Sequence, residues 1–244
     1  VTQELHQVNT IAPLKNVALC AKVMERAINS PSHLPRIVSF SGYSGYGKSW
    51  SAAVTANKFK AYYVECKSSW TKRALLEAIL LQMGITAQGP VYKLVDQISE
   101  QLAKTEKALI IDEMDYLVKR SAVEIIRDIY EGSNAPILLI GEENMPRNLN
   151  NWERFHGRVL EWAYAQPADA QDVKLLASFY CKRVKIREDL IQEITKVIKG
   201  SVRRACVNLD RVEKKALGMG LEEIGMAEWG KTPFYTGGDI GRNS

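Results

Sequence analysis

The sequence predicts an α/β fold: a five-stranded, mostly parallel sheet with helices on both faces, followed by a small all-helical subdomain. Three observations point there. Short apolar, β-prone runs alternate with stretches of helical period as far as residue 162, the pattern of repeated strand-helix-strand units. A glycine-rich loop, Gly42-Tyr43-Ser44-Gly45-Tyr46-Gly47-Lys48-Ser49, separates the first run from the next helical stretch. From Ala168 onward no strand-like run occurs, and only helical periodicity remains.

Taken in order, Lys15 to Ser30 carries apolar residues at helical spacing and stops at Ser30-Pro31, where proline bars continuation. Arg36 to Ser41 is the first strand, and a helix follows the glycine-rich loop. Ala61 to Glu65 is short and β-prone, a second strand, and Thr71 to Met83 is an amphipathic helix closed by Gly84. Val91, Leu94, Val95, Ile98 and Leu102 make one helical stripe over Val91 to Lys104, and Ala108-Leu109-Ile110-Ile111 is a buried-strand run ending at Asp112-Glu113. Ser121 to Gly132 reads as a helix, Pro136 to Ile140 as a fourth strand bounded by Gly141, and Val159 to Trp162 as a fifth. Ala168 to Arg183, Arg187 to Lys199 and Ser201 to Gly218 are three helical segments. Trp229 to Ser244 is glycine-rich and aperiodic, so a loose tail is expected.

Composition fits one large domain or a large plus a small one, with 46% of the 244 residues hydrophobic and 25% charged. No stretch approaches the roughly 18 to 20 uncharged apolar residues of a membrane span, and the N-terminus lacks a signal-peptide pattern, so a cytoplasmic place and no membrane partner are expected. The chain opens on Val1 rather than methionine, which is compatible with a missing upstream domain. Cys20, Cys66, Cys181 and Cys206 lie far apart with no Cys-x-x-Cys pair. They read as reduced, buried thiols rather than as a zinc site or a disulfide framework. A net charge of +5 permits a polyanionic partner without requiring one.

The residues that carry chemistry begin with the loop, which is a complete Walker A motif. Its glycines let backbone amides wrap phosphates, Lys48 reaches the β and γ phosphates, and the Ser49 hydroxyl ligates Mg²⁺. The helix that follows, with Trp50 in its first turn, turns its positive end to the same phosphates. Asp112 and Glu113 follow four apolar residues and read as a Walker B pair. Strand burial then sets Asp112 to hold Mg²⁺ and Glu113 to polarise the attacking water as general base. ATP and Mg²⁺ are the expected cofactors.

With these motifs in place the chain resembles an AAA+ ATPase over Lys15 to Gly218. The resemblance implies a lead-in strap and helix over 1–35, a nucleotide-binding α/β domain over 36–166, a helical lid over 167–228 and a flexible tail over 229–244. It implies further that Arg203, in Gly200-Ser201-Val202-Arg203, is the sensor 2 arginine touching the γ phosphate. Arg154, in Arg154-Phe155 ahead of the fifth strand, is then the arginine finger offered to a neighbouring subunit, with Arg158 as second choice. Sensor 1 falls in Gly141-Glu142-Glu143-Asn144, where Glu142 has the better position and Asn144 the expected chemistry.

Within that family the compact build, the Asn16-Val17-Ala18 lead-in and the Arg-Phe box look most like the transposition regulators, the phage Mu B protein and related target-selection ATPases. That likeness implies self-assembly into a ring or helical filament on duplex DNA, target capture and activation of a transposase, in a bacterial or phage-infected cytoplasm. Lys67-Ser68-Ser69-Trp70-Thr71-Lys72-Arg73 places cations and hydroxyls at a helix N-terminus, and Lys119-Arg120 adds a basic pair. In the resembling proteins these two regions face the filament channel, so the likeness implies Lys67, Lys72, Arg73, Lys119 and Arg120 as phosphate contacts, gripping DNA without reading bases. Two alternatives stay open: a helicase loader or replication-initiation ATPase, and a protein-binding nucleotide switch without DNA.

Overall fold

The structure, a computed structural model, describes residues 12–31, 33–119 and 122–237. It divides into two compact units, Asn16–Ala165 and a second made of the described residues up to Lys15 and from Gln166 on. The described part of the lead-in segment expected over 1–35 is thus shared between the two.

In the first unit, α1 (Lys15–Ile28, its first residue excepted) precedes β1 (Ile37–Ser41), α2 (Lys48–Phe59), β2 (Tyr62–Glu65), α3 (Lys72–Gln82), α4 (Val91–Thr105) and β3 (Leu109–Asp112). There follow α5 (Asp115–Lys119), α6 (Val123–Ser133), β4 (Ile137–Gly141), α7 (Met145–Leu149), α8 (Glu153–His156) and β5 (Val159–Tyr164). The sheet order is β2-β3-β4-β1-β5, and every neighbouring pair is parallel. Ile37 and Leu109 both stand level with Ile137, so β1, β3 and β4 release their C-terminal residues at one edge. In open parallel sheets that edge is where ligands bind.

The apolar runs are buried on both faces because each strand feeds two layers, one per side of the pleat. Ile37, Leu109, Ile111, Ile137 and Leu139 pack with residues of α3, α4 and α6, such as Leu76, Leu94 and Ile126. Their neighbours Val38, Phe40, Ile110, Leu138 and Ile140 pack with Met24 of α1 and Ala52 of α2. Helices α5, α7 and α8 were not expected, since four or five residues are too few for a helical period to show.

The second unit contains α9 (Ala170–Tyr180), α10 (Glu188–Ile198) and α11 (Val202–Gly218), which pack on one another. Two expectations are corrected here. A strand pair does exist after Ala168, because β6 (Lys185–Ile186) pairs in parallel with β7 (Glu223–Ile224). Two residues cannot display an alternation. The stretch from Trp229 is not loose where it is described: Trp229 ends α12 (Met226–Trp229), is 1% exposed and stacks on Phe234 with ring centroids 5.2 Å apart. Lys215 Nζ donates to the Trp229 carbonyl at 2.6 Å, and the Asn208 amide exchanges hydrogen bonds with the Tyr235 backbone at 2.9 and 2.8 Å. Single aromatic anchors and side-chain-to-backbone bonds hold a segment without leaving any period in its sequence. The remainder of that expected tail, 238–244, lies outside the described residues.

Candidate nucleotide site

The loop leaves β1 at the C-terminal edge of the sheet and enters α2 at Lys48. Gly45 and Gly47 have φ of 85° and 80°, a left-handed backbone that residues bearing a Cβ adopt at a cost of about 1–2 kcal/mol. The buried Asn16 side chain donates to the Tyr46 carbonyl at 2.9 Å, and Ser51 Oγ donates to the Gly47 carbonyl at 2.9 Å. Both contacts brace the loop from outside. Lys48 Nζ donates to the carbonyls of Gly42 at 2.6 Å and Tyr43 at 3.0 Å. Burial lowers the Lys48 pKa, while the carboxylates of Glu113, Asp112, Asp115 and Glu142 pull it back up. Ser44 and Ser49 are exposed, as are the rings of Tyr43 (59%) and Trp50 (44%).

Asp112 closes β3 and is 1% exposed. Its Oδ2 accepts from the Tyr63 hydroxyl at 2.9 Å and its Oδ1 from the Glu113 backbone amide at 2.8 Å. Burial and the Asp112 charge hold the Tyr63 hydroxyl well above the usual phenol range, so it remains a donor. Each carboxylate oxygen keeps a second lone pair. With the Ser49 hydroxyl, Asp112 offers the hard oxygen donors that Mg²⁺ takes. Glu113 sits at φ 56°, in the left-handed region despite its side chain. A left-handed backbone at a residue bearing a side chain costs about 1–3 kcal/mol and is held by the surrounding structure. Burial and then Asp112 raise the Glu113 pKa, and Lys48 lowers it.

Two residues join this group that motif reading missed. Tyr63 is one; its role depends on the β2–β3 register, which brings Tyr63 opposite Ile110 and Glu65 opposite Asp112. Asp115 is the other, 5% exposed, with Oδ2 accepting from the Glu142 backbone amide at 2.6 Å. Met114 N donates to the Ile140 carbonyl at 2.9 Å, so the turn after Asp112 is stitched to the exit of β4. Gly141 leaves room for that stitch, since a Cβ there would lie 2.6 Å from Asp115 Oδ2. The available signal was a third carboxylate in Asp112-Glu113-Met114-Asp115. Asp115→Ala is expected to lose about 1–3 kcal/mol of stability, because the Glu142 amide loses its buried partner. Turnover should fall with ATP affinity nearly kept, and Asp115→Asn, which retains an acceptor, should recover most of both. Thermal denaturation with steady-state ATPase kinetics on the two variants checks this.

Of the sensor 1 candidates, Glu142 carries a charge felt by Lys48 and Glu113, whereas Asn144 is exposed, its amide 3.5 Å from Glu143. Arg154 lies exposed on α8, has no ion pair among the described residues, and is not among the charges acting on Lys48 or Glu113. Arg158 is committed to Glu131 at 2.6 Å. Arg203 is exposed in the first turn of α11, in the second unit, after the Ser201 cap whose Oγ accepts from Arg204 N.

The expected phosphate contacts fall on two segments that meet. A cavity of about 280 Å³ is lined by Trp70, Thr71 and Lys72 on one side and by Leu117 and Ala122 on the other. Lys67 Nζ lies 5.8 Å from the Trp70 ring centre, and Lys119 Nζ lies 5.9 Å from that of Tyr116. Lys67 and Lys72 are exposed. Arg73 is engaged by Glu77 at 2.7 Å and by the Gly89 carbonyl at 2.9 Å. Arg120 lies outside the described residues. Burial pushes the thiols of Cys20, Cys66 and Cys181 up to about 12, which leaves them inert as nucleophiles.

Residues 32–149 match the family described as AAA domain. No curated protein sequence matches the chain. Among solved structures, the ORC2 protein of Aeropyrum pernix in its ADP form is similar with a TM-score of 0.68 and 15% identity, over 87% of this chain and 65% of that one. The ORC1 protein of the same organism in complex with DNA gives 0.62 and 18%, over 87% and 62%. Domain III of the Thermotoga maritima replication initiation protein DnaA gives 0.58 and 13%, over 90% and 92%. At such identities the likeness shows the fold, an α/β five-stranded parallel sheet with helices. The chain spans less than two thirds of the length of either ORC chain.

Proposed function

We propose, from an AAA-family ATPase domain over residues 32–149, that this protein is an ATP-gated, nonspecific DNA-binding ATPase that assembles on duplex DNA and serves transposition by target capture and transposase activation. The observation that carries the DNA part is the meeting of Trp70, Thr71 and Lys72 with Leu117 and Ala122 at one cavity, in the unit that also holds the phosphate loop. The Walker A amides and Lys48 hold the phosphates of ATP; Ser49 and Asp112 hold Mg²⁺, which when bound neutralises charge on the β and γ phosphates. Glu113 takes the proton of the attacking water. Arg203 reads the γ phosphate, and Arg154, which has no ion pair among the described residues, serves a neighbouring subunit's site. An arginine supplied this way is worth about 10³–10⁵ in rate, which makes turnover depend on assembly.

A duplex gripped only through phosphates releases counterions, so affinity falls steeply with salt. Lys72→Ala and Lys67→Ala are each expected to lower the slope of log affinity against log salt by about 1, uniformly across DNA sequences. Filter retention of random duplex over a salt series, with an ATP analogue, with ADP and without nucleotide, measures this. Retention and filaments in negative stain only with the ATP form support the proposal. Discrete particles and bare DNA in all three states remove it.

A second reading is kept because the similar solved structures include a replication initiation protein, DnaA, and an ORC1 protein in complex with DNA. On that reading the protein would prefer single strands or a helicase to coating duplex. The same retention assay run with single-stranded DNA separates the two, and absence of any retention favours a protein-binding switch.

A further inference from the structure

Away from the nucleotide site, the outer faces of α4 and α6 enclose an open groove of about 640 Å³. Its floor is tight: a Cβ on Gly132 of α6 would stand 2.9 Å from Ser99 Oγ of α4, and Ser99 Oγ donates to the Ile129 carbonyl at 3.4 Å. Toward the start of α4 the lining is apolar, with Val91, Tyr92, Val95 and Ile125. Tyr92 is 64% exposed and Val91 36%, an unusual outlay of apolar surface for the first turn of a helix. One to two turns further the lining is acidic, with Asp96, Glu100 and Asp128. Asp128 shares Arg127 with Glu124. Asp96 and Glu100 have no ion pair among the described residues, and no basic side chain lines the groove.

An acidic lining whose Asp96 and Glu100 have no ion pair among the described residues, on a chain of net charge +5, is selective for a cationic partner. Two parallel stripes of side chains, one from each helix, match the width of a third helix laid between them. We propose that this groove docks a basic amphipathic helix of a partner protein. Val91 to Glu100 spans about 14 Å at 1.5 Å per residue, so the docked segment is about three turns long. It carries aliphatic or aromatic anchors at one end for Tyr92 and Ile125, and lysine or arginine at the other for Asp96 and Glu100. The chain's own flanking segments do not match: residues 1–11 contain no lysine or arginine, and 238–244 contain one arginine beside two glycines.

The test uses the full chain and a fluorescein-labelled synthetic peptide of about 18 residues with leucine and phenylalanine at one end of a helical stripe and lysine at the other. Its lysine-to-glutamate counterpart and a scrambled peptide of equal composition serve as controls. Anisotropy should report binding of the first peptide only. Asp96→Lys combined with Glu100→Lys should weaken it by about tenfold or more, and Tyr92→Ala by about fivefold, with ATP binding unchanged in each. If the double variant fails to bind ATP, Asp96→Asn with Glu100→Gln replaces it and should weaken the peptide in the same direction. Equal binding by the charge-altered chain, or equal binding of the scrambled peptide, overturns the proposal. So does a concentration-dependent dimer in sedimentation that Tyr92→Ala abolishes, since the occupant would then be a second copy.

Discussion

Lys48→Ala is expected to lower ATP affinity by about 100-fold or more, because truncating one member of a partly desolvated charge pair costs about 2–5 kcal/mol. In the structure this ammonium is the cation acting among four carboxylates, those of Asp112, Glu113, Asp115 and Glu142. Its removal takes away the phosphate partner and leaves that acidic group facing a polyanion unopposed. The fold should survive, since among the described residues the Lys48 ammonium donates only to the carbonyls of Gly42 and Tyr43. ATP at about 100 times its dissociation constant stabilises a protein that binds it by about 2.7 kcal/mol. The natural chain should therefore melt at higher temperature with ATP, and the variant should not. Calorimetric titration gives the affinity directly. A variant that kept its ATP-dependent melting shift, or that was still retained on DNA in an ATP-dependent way, would remove Lys48 from the phosphate site.

Glu113→Gln should separate binding from turnover. Glutamine keeps the backbone amide that donates to Asp112 Oδ1 and carries no larger side chain into the left-handed position at φ 56°. Geometry around Asp112 is then preserved, and so is ATP affinity. What is lost is the base: general-base catalysis contributes about 10²–10⁴ in rate, and kcat should fall by that factor. Burial and Asp112 already raise the Glu113 pKa, which makes its carboxylate a better proton acceptor than an exposed glutamate. On the proposed function the variant stays in its ATP form and remains on DNA long after the natural protein has left. Single-turnover hydrolysis with a DNA-release chase measures both. Normal hydrolysis would transfer the role to another carboxylate, and Glu142, whose charge also acts on Lys48, is the first to substitute next.

Much of the site was legible in the linear chain, and for a local reason. Gly42 to Ser49 builds its phosphate cradle from consecutive residues, so residue type and spacing nearly specify it, and Asp112-Glu113 is marked by the apolar run before it. Arg158 illustrates the opposite case. It stood second to Arg154 as a cation near the fifth strand, and its pairing with Glu131, 27 residues away in sequence, could not be read from either residue's neighbours. Arg73, an expected phosphate contact, pairs with Glu77 and donates to the Gly89 carbonyl, 16 residues on, which its own segment does not announce.

By itself the sequence determined the parallel α/β class, the five apolar strands, the phosphate loop and the paired carboxylates. Each of these is written in neighbouring residues through periodicity, glycine placement or a short motif. Tertiary structure alone decided that Tyr63 and Asp115 support the carboxylates, that Trp70, Lys72 and Leu117 border one cavity, that α4 and α6 leave an acidic groove, and that Trp229 to Tyr235 packs against α11. These depend on strand register and helix packing between residues far apart in the chain. A contact of that kind lowers the free energy only once both elements are in place, and it leaves no local period or motif to be read.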